Sequence, residues 1–144
     1  MDTNIVLGAV FGRSVVLRMS QAAVRRALIC SRDMAIEAAS VVDHVMPGKE
    51  GAADRLIRLF SAIEVVERDV YMAKIEAARS SLRLAPASRN GSIKDAHILA
   101  LAWTYDADIW SHDRDFAGTG WPSWSSANLA AALSEEARAS AAPS

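Results

Sequence analysis

One segment in the last third of the chain constrains the fold more than any other. Residues 96–102 read Ala-His-Ile-Leu-Ala-Leu-Ala, a helix-forming composition in which apolar side chains point in almost every direction. A helix of this kind is stable only when other elements cover most of its surface. Residues 107–110 follow it and are predicted to form a buried strand. The sequence therefore predicts a layered domain with this helix and strand inside it.

Segments with helical periodicity alternate with short apolar runs along the rest of the chain. The predicted helices cover residues 19–31, 52–60 and 69–81, the predicted strands cover residues 34–36 and 63–66, and the clearest loop covers residues 84–91. Helices that alternate with strands favour parallel pairing, because a helix carries the chain back to the starting edge of the sheet. We predict an α/β fold, a three-layer α/β/α domain with a short and mainly parallel sheet.

Length and composition indicate one globular domain. The 144 residues are 51% hydrophobic and 23% charged, which excludes a disordered chain. We predict a domain over residues 1–133 and a flexible C-terminal tail over residues 134–144, which are small, polar and rich in alanine. Apolar runs are too short to cross a bilayer and no signal peptide is recognisable, so we expect no membrane association and a cytoplasmic location. Cys30 is the single cysteine and is predicted to be a core residue.

The distribution of charge along the chain, but not the net charge, gives an indication of the binding partner. The net charge of −1 provides no overall attraction to nucleic acid. Residues 1–32 nevertheless contain five arginines and one acid, Asp2. These arginines either contact a polyanion or form a solvated helix face, and the sequence leaves both interpretations open. The three histidines lack zinc-ligand spacing, so a zinc site is not expected.

Several aspartates are placed where parallel strands bring side chains together. Asp113 and Asp115 follow the predicted strand at residues 107–110, and Asp95 opens the apolar helix before it. Loops at the carboxyl ends of parallel strands meet at one edge of a sheet. Carboxylates gathered there repel one another unless a hard divalent cation such as Mg²⁺ or Mn²⁺ compensates them. The simpler alternative is a capping box of Ser92 with Asp95 and an ordinary turn at the other two aspartates.

Three motifs in chain order resemble those of the PIN-domain family. Asp2-Thr3-Asn4 precedes a run of aliphatic residues, Asp95 opens an alanine- and leucine-rich helix, and Ser111-x-Asp113-x-Asp115-Phe116 follows the next strand. Residues 117–124 are also similar to a tail found in bacterial PIN proteins of toxin-antitoxin systems. The resemblance spans nearly the whole chain.

The resemblance implies a Mg²⁺- or Mn²⁺-dependent endoribonuclease, frequently a homodimeric, VapC-like toxin that a cognate antitoxin neutralises. Asp2, Asp95 and Asp113 are then the catalytic and metal-binding acids, and Asp115 assists them at the metal. The residues expected on the RNA side are Asn4, Ser111, His112 and Arg114.

The chain departs from the family pattern in two places. A hydrophobic strand normally precedes the first motif, whereas only Met1 precedes Asp2, so the first strand is truncated or missing. Either the native chain starts upstream of Met1, another segment supplies the strand, or Asp2 is poorly anchored. The second acid, normally a glutamate on a helix, is Glu37 or Asp43, and we favour Asp43 as a catalytic residue because of its helical context.

Two alternatives to the ribonuclease follow from these observations. The missing strand and uncertain second acid are also compatible with a catalytically impaired PIN-like module that binds RNA or an antitoxin without cutting. A phosphoacceptor receiver domain also gathers aspartates at parallel strands. It requires an acceptor aspartate after its central strand, and residues 64–67 do not provide one.

Overall fold

The computed structural model describes residues 1–45, 49–85 and 93–143. Within these ranges the chain forms eight α-helices and four short strands. The helices are α1 (Thr3–Phe11), α2 (Arg13–Ala23), α3 (Arg32–Ser40), α4 (Ala52–Ser61), α5 (Arg68–Tyr71), α6 (Ile75–Leu84), α7 (Ala96–Tyr105) and α8 (Ser126–Ala141). The strands are β1 (Ile29–Ser31), β2 (Glu64–Val66), β3 (Ile109–Trp110) and β4 (Ser123–Trp124).

The strands form two parallel pairs, β1 with β2 and β3 with β4. The first two residues of the chain lie between the pairs. The α-amino nitrogen of Met1 donates to the Ile29 carbonyl at 3.4 Å, and the main-chain nitrogen of Asp2 donates to the Trp110 carbonyl at 3.0 Å. The prediction of an α/β fold with parallel strands is confirmed, and Met1 and Asp2 connect the two strand pairs.

The apolar helix predicted at residues 96–102 is confirmed as α7. Each of these seven residues is buried, because helices α5 and α6 and strands β1 and β3 all pack against α7. The core on this side contains Tyr71, Leu82, Leu99 and Phe116.

A second core surrounds α1, whose Ile5, Val6, Ala9 and Val10 are buried among helices α2, α3 and α4. Cys30 belongs to this core, as predicted, and burial raises the pKa of its thiol to about 11. The thiol is therefore protonated and unreactive at neutral pH.

Two predictions near the start of the chain are wrong. The helix expected over residues 19–31 begins and ends earlier, as α2, and residues 29–31 form a strand instead. The strand expected over residues 34–36 lies inside α3. The cause is a helix cap: the Ser31 hydroxyl oxygen accepts a hydrogen bond from the Met34 main-chain nitrogen at 3.1 Å, which starts α3 immediately after β1.

The remaining elements agree more closely with the sequence. Helix α4 and strand β2 are confirmed, whereas the helix predicted over residues 69–81 is divided into α5 and α6 by a turn at Met72–Lys74. Residues 134–141 of the predicted tail continue α8, and Arg26 forms an ion pair with Glu136 there. Most of the predicted loop at residues 84–91 lies outside the described residues. No single helix in the described ranges is long and apolar enough to cross a membrane; α1 and α2 reach that limit only as a pair, bent by 119°.

Candidate active site

Asp2 is held firmly at the edge where the two strand pairs meet. It is 6% exposed, and its main chain is fixed to Trp110 as described above. Its carboxylate accepts a hydrogen bond from the Ser111 hydroxyl at 2.7 Å and a longer one from the Asn4 main-chain nitrogen at 3.4 Å, which caps α1. Asp2 is therefore well anchored, which contradicts the alternative that it is poorly held.

Hydrogen bonds connect Asp2 to the loop that follows β3. The Ser111 hydroxyl oxygen accepts from the Asp113 main-chain nitrogen at 2.9 Å, and the Asp113 carboxylate accepts from the Asp115 main-chain nitrogen at 2.9 Å. Each side chain in this turn thus fixes the backbone of the residue two positions further on. Hydrogen bonds therefore connect Asp2, at the start of the chain, with Asp113 and Asp115, near its end.

Asp95 lies directly before α7 and experiences the field of the other acids. The pKa of its carboxyl is raised to about 7, first by burial and then by four neighbouring carboxylates. In decreasing order of effect these neighbours are Asp2, Asp113, Glu37 and Asp115. Asp95 and these four residues are called the acidic cluster below. The capping alternative involves Ser92, which lies outside the described residues, and the Asp95 side chain makes no capping hydrogen bond to α7.

The second acid that the fold brings to the cluster is Glu37. It lies on α3, the helix after β1, and its carboxylate accepts a hydrogen bond from the Thr3 hydroxyl at 2.7 Å. That bond joins α3 to the first turn of α1, directly beside Asp2. Glu37 was the less favoured alternative in the sequence.

Asp43 lies elsewhere. It is exposed, in the turn at Val41–Val45 beyond the end of α3, and is not among the carboxylates that raise the pKa of Asp95. The preference for Asp43 rested on its helical context, and a strand placed at residues 34–36 left Asp43 in the next helical segment. With the strand at Ile29–Ser31, the helix that follows contains Glu37.

The donor set of the acidic cluster suits a hard divalent cation. It consists of carboxylate oxygens, which Mg²⁺ and Mn²⁺ prefer, and their mutual repulsion is what such a cation compensates. Among the described residues, no three histidine, cysteine, aspartate or glutamate side chains converge closely enough to hold one ion. The raised pKa of Asp95 shows a shared electrostatic field, which extends further than coordination distances.

The residues predicted to contact RNA fall into two groups. Asn4, His112 and Arg114 are exposed next to members of the acidic cluster. Ser111 is 3% exposed and its hydroxyl is occupied by Asp2 and the Asp113 main chain, so it positions Asp2 rather than facing solvent. The ring of His112 lies 3.0 Å from the Ser126 hydroxyl, which fixes its orientation.

A buried polar pair lies close to the site and was not found in the sequence. The His97 Nδ1 atom lies 2.7 Å from the Ser31 hydroxyl oxygen, which also accepts from the Met34 main-chain nitrogen. The direction of this hydrogen bond follows the tautomer of the imidazole, and burial lowers the pKa of the ring. His97 is thus a neutral core residue, as its place in an apolar helix suggests, and it ties α7 to the end of β1.

The five arginines near the start of the chain are partly compensated. Arg26 pairs with Glu136 and Arg32 pairs with Glu67, both at the surface. The pairing of Arg32 holds the pKa of Glu67 below its ordinary value. These two arginines therefore fit the interpretation that they form a solvated surface rather than contact a polyanion.

A family model described as PIN domain matches residues 1–134. The match covers every member of the acidic cluster, and the chain belongs to the PIN-domain family. Proteins of this family are typically metal-dependent nucleases that use divalent cations. Comparison with curated proteins gives no match.

Proposed function

We propose that this protein is an endoribonuclease that hydrolyses RNA phosphodiester bonds with Mg²⁺ or Mn²⁺ as its cofactor. The proposed cation ligands are Asp2, Asp95 and Asp113, with Asp115 and Glu37 beside them. The observation that carries the proposal is the gathering of four carboxylates around Asp95, whose pKa is raised to about 7 by burial first and then by these neighbours.

Like charges placed together in a partly buried site destabilise the folded chain. The chain nevertheless directs acids from four separate stretches to one edge and holds two of them with dedicated hydroxyl donors, Ser111 for Asp2 and Thr3 for Glu37. Arrangements that keep like charges together in spite of this destabilisation are typical of functional sites.

Each group has a defined task in the proposed reaction. A bound Mg²⁺ or Mn²⁺ supplies Lewis acidity toward the scissile phosphodiester and the attacking water. Ser111 keeps the Asp2 carboxylate facing the cluster, and the Asp113 and Asp115 main chains are fixed by the turn after β3. Arg114 is exposed beside these acids and is proposed to contact an RNA phosphate, with Asn4 and His112 flanking it.

The test is cleavage of a labelled single-stranded RNA, with DNA of the same sequence as a parallel substrate. We expect cleavage of RNA in Mg²⁺ or Mn²⁺, none in EDTA, and none by Asp95→Asn. Asp54→Asn is the matched control, because Asp54 is exposed on α4 and outside the acidic cluster. Cleavage that persists in EDTA, or in Asp95→Asn, contradicts the proposal; preference for DNA would keep the metal-dependent nuclease but reject the RNA substrate.

The second candidate is a PIN-like module that binds RNA or an antitoxin without cutting. It is favoured by the finding that no three acidic or other ligating side chains of the described residues converge on one point. Calorimetric titration with Mn²⁺ separates the two candidates. Binding that Asp95→Asn weakens supports the nuclease, and absence of binding by the unmodified chain supports the module.

The finer biological role that we propose is a cytoplasmic, VapC-like toxin that acts as a homodimer and is neutralised by a cognate antitoxin. Its support is the motif order together with residues 117–124, which are similar to bacterial toxin-antitoxin PIN proteins. Induced expression should arrest growth, and Asp95→Asn should not. Relief by the product of a small neighbouring gene, and a dimeric mass in solution, are the further expected results; growth unaffected by the unmodified protein would argue against the toxin role.

A further inference from the structure

A small cavity of about 140 Å³ lies beside the first turn of α7, and basic side chains contribute to its wall. They are Arg68 of α5, Arg79 of α6 and Lys94, which directly precedes Asp95. We call this cavity the basic cavity. Because Lys94 and Ala96 both line it, the basic cavity adjoins the acidic cluster at Asp95.

The positive charge of the basic cavity is only partly compensated. Arg68 pairs with Asp33, which also lines the cavity, and Arg79 pairs with Glu76. Lys94 forms no ion pair within the described residues. Three cations and two acids leave one positive charge without a partner in this part of the chain, and that charge attracts an anion.

Two side chains of the wall have hydrogen-bonding capacity that the described residues leave unused. The Nε atom of Arg79 is buried and has no partner among them. His97 is 9% exposed and its Nδ1 atom lies against Ser31, but its Nε2 atom makes no hydrogen bond to a described residue. The Ser31 hydroxyl is able to donate to Nδ1, and the ring can then carry its proton on Nε2. Donors of this kind require acceptors, which the oxygens of an anion supply.

The size of the basic cavity limits the class of ligand. Its volume of about 140 Å³ is well below the roughly 300–1,000 Å³ of clefts that hold drug-sized molecules, so it suits a group of few atoms. Positive charge combined with several N–H donors selects an anion with several oxygens, and arginine and lysine are common phosphate ligands. In nucleic-acid-binding proteins, such contacts fix the position of the strand without reading its sequence.

We propose that the basic cavity binds a phosphate of the RNA backbone that flanks the scissile one, with Lys94 as its main cation. The proposal rests on the proposed ribonuclease function and adds a second point at which the substrate is held. Lys94 directly precedes Asp95, and Arg114 directly follows Asp113. A strand held by Lys94 and Arg114 together therefore crosses the acidic cluster.

The experiment measures RNA binding by the full-length Asp95→Asn protein in EDTA, where neither cleavage nor cation binding contributes. Fluorescence anisotropy of a short labelled single strand gives the Kd at several KCl concentrations. Adding Lys94→Gln should weaken binding roughly 3- to 10-fold and lower the slope of log Kd against log salt concentration by about 0.7 to 1, the share of one phosphate contact. Arg83→Gln is the matched control, because Arg83 is exposed one turn after Arg79 on α6 and is not among the residues that line the basic cavity.

The outcomes separate this proposal from the proposed function. Equal loss of affinity in the Lys94 and Arg83 variants, or an unchanged slope in Lys94→Gln, overturns the phosphate contact and leaves the RNA substrate in place. Absence of RNA binding by the parent protein overturns both.

A second measurement distinguishes a backbone phosphate from a free anion. Each phosphate of the strand is replaced in turn by a neutral methylphosphonate. One position should weaken binding by the parent protein but have no further effect in Lys94→Gln, because the same contact is already lost. Absence of such a position would overturn the proposal. Inorganic phosphate that then shifts the NMR signals of the His97 ring would identify the occupant as a free anion.

Discussion

Two aspartates at the starts of helices show how differently this chain treats its acids. Asp33, in the first turn of α3, accepts a hydrogen bond from the buried Tyr71 hydroxyl at 2.6 Å and pairs with Arg68 at 3.0 Å. Asp95, directly before α7, is surrounded by other carboxylates instead. Both are half-buried.

This difference separates an aspartate that stabilises the fold, Asp33, from one that belongs to the candidate site, Asp95. Asp33 is compensated by a cation and a hydroxyl, and its environment contributes to raising the pKa of Tyr71 to about 12, after burial. The fold is therefore able to pair an acid where pairing serves stability. That it does not do so at Asp95, but adds further acids, supports the acidic cluster as the candidate functional site.

The largest expected effect contrasts the two aspartates in catalysis. Asp95→Asn should lower RNA cleavage on the order of 10³-fold, because the neutral amide removes a proposed cation ligand and its charge. Asp33→Asn should change cleavage by less than about 3-fold, since Asp33 stabilises the scaffold. Initial rates at saturating Mn²⁺ measure both. If the two variants lose activity equally, the distinction between them is not valid.

A smaller effect separates the two candidates for the second acid. Glu37→Gln should reduce cleavage by roughly 10- to 100-fold, because Glu37 shares the field of Asp95 and is held by Thr3. Asp43→Asn should leave the rate unchanged, since Asp43 is exposed beyond α3. The same rate assay decides, and the reverse pattern would restore Asp43 as the second acid.

The two substitutions should rank in the opposite order in their effect on the free energy of unfolding. Asp33→Asn should lower the free energy of unfolding by about 1 kcal/mol, because the buried Tyr71 hydroxyl and Arg68 lose a charged partner. Asp95→Asn should leave it unchanged or increase it in EDTA at pH 8, because like-charge repulsion is relieved. Urea unfolding followed by tryptophan fluorescence measures this. A loss of stability in Asp95→Asn would mean that its carboxylate is compensated after all.

The smallest effect is a dependence of stability on pH in the absence of metal. The Asp95 carboxyl has a pKa of about 7 in the folded chain against an ordinary value of 3.8, so the folded state binds the proton more tightly. Its contribution to stability is complete below about pH 4 and is lost as pH rises through 7. Because the side chain is partly exposed and screened, we expect the melting temperature in EDTA to fall by only about 3 to 6 °C between pH 5 and 8 relative to Asp95→Asn. Parallel melting curves for both proteins would contradict this shift.

Local patterns in the sequence were sufficient for several elements. The apolar composition of residues 96–102 gave a helix covered on all sides, and α4 and β2 followed from short-range periodicity and length. The α/β fold was predicted from the alternation of these elements. The positions of Asp2, Asp95 and Asp113 in motifs pointed to one edge of a sheet, and Asp2 and Asp113 are among the carboxylates that raise the pKa of Asp95.

Other features were decided by contacts between remote residues, which no local pattern contains. Whether residues 29–31 or 34–36 formed the strand depended on the Ser31 cap and on pairing with β2, and that choice determined whether Glu37 or Asp43 joined the acidic cluster. The anchoring of Asp2 required Trp110 and Ser111, more than a hundred residues away. The sequence by itself determined which segments are apolar enough to be buried and which acids stand at their ends. Tertiary structure alone decided which of those acids meet, because hydrogen bonds and electrostatic repulsion depend on distances in space.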